Sequence, residues 1–137
     1  MGNKGKKYKA NHLNFLMADT GIFATTAQIG YKAGANASAT SKAEAYTNFY
    51  IAGAESYINL ITRYNWSDAY STLNVDVKYI LQEAASNLAA IYVINYDMTN
   101  FNSRAEAELM IKVLYRRFMD CIKVLVEQKV ETFAKKA

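Results

Sequence analysis

The chain has 137 residues, one domain's worth of sequence, and 52% of them are apolar, enough to fill a core without a disulfide framework. A single cysteine, Cys121, and a single histidine, His12, rule out an intrachain disulfide and any metal site that needs several Cys or His side chains from one chain. The net charge of +4 is unevenly spread: residues 1–42 carry six lysines against Asp19 alone, while the other 95 residues carry ten basic and eleven acidic groups.

Residues 1–40 open with Lys4, Lys6, Lys7 and Lys9 around Tyr8 and continue from Ala18 to Thr40 as a stretch dominated by Ala, Gly and Thr, with no helical period. The lysines are not followed by the uninterrupted apolar run of a secretory leader, and Lys6 stands where a myristoylation motif takes Ser or Thr, so the chain is expected to stay in the cytoplasm in which it is made. Leu13, Phe15, Leu16, Met17, Ile22 and Phe23 are too apolar for an idle tail. They predict an extended arm that orders on a partner surface, for example by adding a strand. The four tip lysines are candidate contacts to phosphate or to an acidic protein surface, weighed evenly against a solvated terminus.

Residues 41–137 read as a three-helix body. Ser41 with Glu44, and Ser103 with Glu106, have the spacing of capping boxes, and Asn74 before Asp76 is a plainer cap. They predict helices over 42–62, 75–95 and 104–133, separated by turn-like stretches at 64–68 and 97–100. On the first, Tyr46, Tyr50, Gly53, Tyr57, Leu60, Ile61 and Tyr64 form one stripe, suited to rings that are buried along their sides and wet at the hydroxyl. On the second, Val77, Ile80, Leu81, Ala84, Leu88 and Ile91 form a core face. Its other side carries Ala85, Ala89 and Ala90, so this helix is either the centre of the body or packs its small residues on a neighbouring subunit; we expect the subunit-packing face. On the third, Ile111, Leu114, Tyr115, Phe118, Ile122, Leu125 and Val126 fall on one side, opposite Lys112, Arg116, Asp120, Lys123 and Glu127. A helix of roughly 30 residues would be about 45 Å long, more than so small a body covers, which predicts contact with another chain. The longest uncharged helical stretch, residues 84–96, is too short to cross a bilayer. The expected fold class is therefore all-α, a three-helix body with a long C-terminal helix and an extended N-terminal arm.

Catalytic signatures are wanting. Cys121 has no base near it in sequence and reads as a packed thiol. His12 has no companion ligands. Glu106 and Glu108 are two apart on a helix and point in different directions, so they cannot share a substrate, and the six glycines never take the spacing of a phosphate-cradling loop. No enzyme activity, cofactor or metal is expected.

The run Ala54-Glu55-Ser56-Tyr57-Ile58 leading to Thr62-Arg63-Tyr64, the Ala-rich second helix through Leu88-Ala89-Ala90-Ile91-Tyr92, and a third helix opening Ser103-Arg104-Ala105-Glu106-Ala107-Glu108 resemble the head-tail connector, or head-completion adaptor, family of tailed bacteriophages, over roughly residues 44–126. The resemblance implies a structural virion protein, made in the host cytoplasm, that forms a homo-oligomeric ring, typically of about twelve copies, docked to the portal and lining the channel through which DNA passes. The 40-residue arm and the long last helix depart from that pattern. Portal and other head-tail proteins would be its partners, with non-specific DNA contact and no membrane. The alternative is a small nucleic-acid-binding protein that uses the lysine tip; the near-neutral charge of the body argues against it.

Overall fold

The computed structural model describes residues 18–127 and is all-α: helices α1 (Thr26–Ala33), α2 (Glu44–Thr62), α3 (Trp66–Ala69), α4 (Val75–Tyr96) and α5 (Arg104–Val126), with a 3-10 turn at Tyr70–Thr72 and, among the described residues, no strand. Local chemistry sets the helix starts. Thr25 and Gln28 form a reciprocal capping box ahead of α1, Asn74 Oδ1 accepts the Asp76 amide at 2.8 Å ahead of α4, and Ser103 Oγ accepts the Glu106 amide at 3.1 Å ahead of α5. Gly34 ends α1 with φ 86°, a conformation open to glycine at little cost.

α4 is the centre of the fold, with α1, α2 and α5 packed around it. Every residue from Ala84 to Ile91 is buried, including Ser86 and Asn87, because the uncharged run has neighbours on all sides. Ala85, Ala89 and Ala90 are fully buried within the single chain. The subunit-packing face expected there is thus corrected: these small side chains are covered within the single chain by the helices packed around α4, and no surface is left over.

The boundary at residue 40 also gives way. From Ala18 onward the chain belongs to the body, and α1 lies inside the segment read as an extended arm. Phe23, Ala24, Ile29, Ala33 and Ala37 join the core, so Phe23 is a core residue and not a free partner contact, whereas Ile22 stays 44% exposed. Hydrogen bonds from α2 fix this segment. Asn48 Nδ2 donates to the Ala18 carbonyl at 3.0 Å and its Oδ1 accepts the Thr20 amide at 3.1 Å, while one carboxylate oxygen of Glu55 accepts the amides of Ile22 and Phe23 at 2.6 and 2.7 Å. Asp19 in turn accepts the backbone amide of Thr26 at 2.8 Å and its hydroxyl. Farther on, Lys32 of α1 reaches Glu83 of α4 at 2.6 Å.

Two helix boundaries differ from expectation. Ser41 is buried and makes no cap; α2 starts after Ala43, and the Ser41 hydroxyl has no hydrogen-bond partner among the described residues. Among the described residues α5 ends at Val126, where Glu127 takes an extended conformation, so its 23 residues span about 34 Å; residues 128–133 of the expected helix lie outside the described residues. Its buried face is Ala107, Leu114, Phe118, Cys121, Ile122 and Leu125, while Tyr115 and Val126 are exposed. The expected 64–68 turn contains α3, whose Trp66 is a core residue, with its indole N–H donating to Thr62 Oγ1 at 2.9 Å.

Candidate assembly surface

The outer side of α2 is an apolar surface that the core leaves unused. Between Glu44 and Arg63 the helix carries one charge, Glu55, and that carboxylate is turned inward onto the Ile22 and Phe23 amides. Burial pushes the Glu55 carboxyl above the ordinary carboxylate range, against the pull of the Phe23 and Ile22 hydrogen bonds. What faces outward is Phe49, Ala52, Gly53, Ser56, Tyr57, Leu60 and Ile61, all exposed and none charged. Leu60 and Phe49 are 78% and 77% exposed.

The surface has two halves. Toward the C-terminal end of α2, Tyr57 stands 6.0 Å, ring to ring, from the buried Phe118 of α5, and the exposed Tyr115 ring lies 6.2 Å from the same Phe118. With Leu60 and Ile61 these rings make an apolar patch that crosses from α2 to α5. Toward the N-terminal end, α2 and the last turns of α4 enclose a groove of about 680 Å³ lined by Phe49, Tyr50, Ala52, Gly53, Ser56, Tyr92, Asn95 and Tyr96. Ring contacts build its wall: Tyr50 to Tyr92 at 5.9 Å, Tyr46 to Tyr96 at 5.1 Å edge-on, and Phe49 to Tyr50 at 6.1 Å. A hydrogen bond with Tyr46 raises the Tyr96 phenol, and burial raises that of Tyr92, so both stay protonated and the groove stays neutral through the physiological range. A Cβ at Gly53 would meet nothing within 4 Å, so the groove is open over that residue.

The expected stripe thus exists for Tyr46, Tyr50, Gly53, Tyr57, Leu60 and Ile61, divided between core contact and open surface, whereas Tyr64 lies beyond the end of α2 with its ring 4.4 Å from Trp66. Phe49 was missed because it falls at the edge of that stripe. Its signal lay in the sequence all the same: a large apolar residue in a helix whose outer positions hold no charge. Leu13, Phe15, Leu16, Met17, Lys4, Lys6, Lys7 and Lys9 lie outside the described residues, as does His12.

Among the described residues no three His, Cys, Asp or Glu side chains converge as metal ligands. Cys121 is buried, and burial, reinforced by the negative charges of Glu83 and Asp120, pushes its thiol up to about 11, far from a reactive thiolate. None of the described helices is long and apolar enough to cross a membrane. Comparison with protein-family models, characterised proteins and solved structures finds no match to this chain.

Proposed function

We propose that this chain is a structural assembly protein, not an enzyme, and that it packs against copies of itself through the C-terminal half of the α2 face: Tyr57, Leu60 and Ile61, with Tyr115 of α5 beside them. The observation that carries the reading is a helix face that stays exposed and largely apolar from Phe49 to Ile61, about three and a half turns, without one outward charge. Surfaces of that kind are kept where another protein covers them. A second copy is the partner that fits, because a neutral face meets no like-charge repulsion when it meets itself, and isologous or head-to-tail packing of one patch is how homo-oligomers close.

The bacteriophage connector resemblance gives this reading its finer form: an adaptor subunit in a ring docked to the portal around the DNA channel. The same uncharged face counts against a nucleic-acid-binding role for the body, since phosphate contacts require cations there. Native mass spectrometry of the full chain, alone and with a portal protein, tests the proposal. A closed species of many copies that adds to the portal is the expected result. A monomer whose DNA affinity falls steeply with salt would replace this reading with the nucleic-acid one.

A further inference from the structure

We infer that the groove between α2 and α4 is the seat of the chain's own segment 13–17, folded back within the same molecule over the edge of α2. Three observations name this occupant. The first is where the described chain begins: the Ala18 carbonyl and the Thr20 amide are both bonded to Asn48, one residue from Phe49 at the mouth of the groove. The residues before Ala18 therefore start beside the groove. The second is reach. Five extended residues cover about 17 Å, while Asn48 to Gly53 is an advance of about 7.5 Å along the helix axis. The third is chemistry: Leu13, Phe15, Leu16 and Met17 are apolar and the segment holds no charge, matching a groove lined by neutral rings, alanine and glycine. The lysines, from Lys9 back, would remain outside it.

A segment tethered at the rim competes for its seat at a high effective concentration, which favours the same molecule over a second copy. Seating requires the open space above Gly53, and this distinguishes the inference from the assembly reading, which depends on Leu60 and Tyr57.

The test uses the full chain at several concentrations, in wild-type and Leu60→Glu backgrounds, with chymotrypsin and mass detection of the cut at Phe15, Leu16 or Met17. Gly53→Trp fills the groove and Gly53→Glu places a charge in it; neither side chain has a neighbour to strike at its root, and both residues are better helix formers than glycine. We expect both to speed that cut on the order of tenfold, since cleavage follows the population of the unseated segment, with the helical fold kept, the melting temperature lowered by no more than a few degrees, and Gly53→Ala cutting as wild type. The effect should be the same at every concentration and in both backgrounds. Equal cutting of all four chains would overturn the inference. Protection that grows with chain concentration would overturn its intramolecular form, by placing the segment on another copy. Failure of Leu60→Glu to alter assembly would leave the inference standing and remove the assembly interface alone.

Discussion

At Gly21 the N-terminal segment passes beneath α2 so closely that a Cβ would overlap the Ala24 carbonyl oxygen and press on the Ile51 side chain at 3.1 Å. Gly21→Ala should destabilise the fold by about 1–3 kcal/mol, the cost of overpacking, read as a lower urea midpoint at unchanged slope. Glu55 makes a different prediction. Because burial raises its carboxyl in the folded chain, the native state holds that proton more tightly than the unfolded chain does. Stability should therefore fall as pH rises from the ordinary value of 4.5 through the raised one, and be flat in this respect outside that window. The neighbouring charge-bearing group is Tyr70, whose phenol is itself raised by burial and by Glu55 and stays neutral in that range. Glu83, held down by Lys32 against its burial, contributes in the opposite sense, so the slope is isolated by subtracting the Glu55→Gln profile from wild type. Matching profiles for the two chains would show that Glu55 is not buried as described. Ser41→Ala, which removes a buried hydroxyl that has no partner among the described residues, should be neutral or stabilising.

Element by element, the sequence was informative where a helix carries its own start signal. Asn74 caps α4 as its spacing predicts, Ser103 caps α5 through the forward half of the expected box by accepting the Glu106 amide, and α2 ends at Thr62 as expected. It was misleading where the partners are distant. α1 has one turn of capping chemistry, Thr25 with Gln28, hidden in a stretch of Ala, Gly and Thr, and the contacts that fix its approach come from Asn48 and Glu55, some thirty residues on. No local period can report such bonds. For α4 the uncharged composition allowed two readings, and only the positions of α1, α2 and α5 around it decide between them. The consequence is measurable: Ala89→Glu should unfold the single chain, since a carboxylate there would be buried without a partner, lowering stability by roughly 3–5 kcal/mol. A soluble Ala89→Glu monomer with an unchanged thermal midpoint would mean that the α4 face is open after all. The groove was half legible, as a tyrosine stripe on α2; its other wall, Tyr92 and Tyr96, becomes visible only once α4 lies beside α2.

For the whole molecule, α4 lies at the centre of the core, and α2 and α5 carry most of the exposed large apolar side chains, those of α2 on a face without an outward charge. Burying a side chain such as Leu60, now 78% exposed, stabilises by roughly 1.5–3 kcal/mol before ordering costs, so a few such residues in each contact can hold neighbouring copies together. The most direct measurement is sedimentation velocity of the full chain beside Leu60→Glu across a hundredfold range of concentration. Leu60 contributes little to the core, so the substitution should leave the melting temperature and helical signal unchanged while the large species of the wild type gives way to monomer. A wild-type chain that sediments as a monomer throughout, or a Leu60→Glu chain that assembles as well as wild type, would contradict the account.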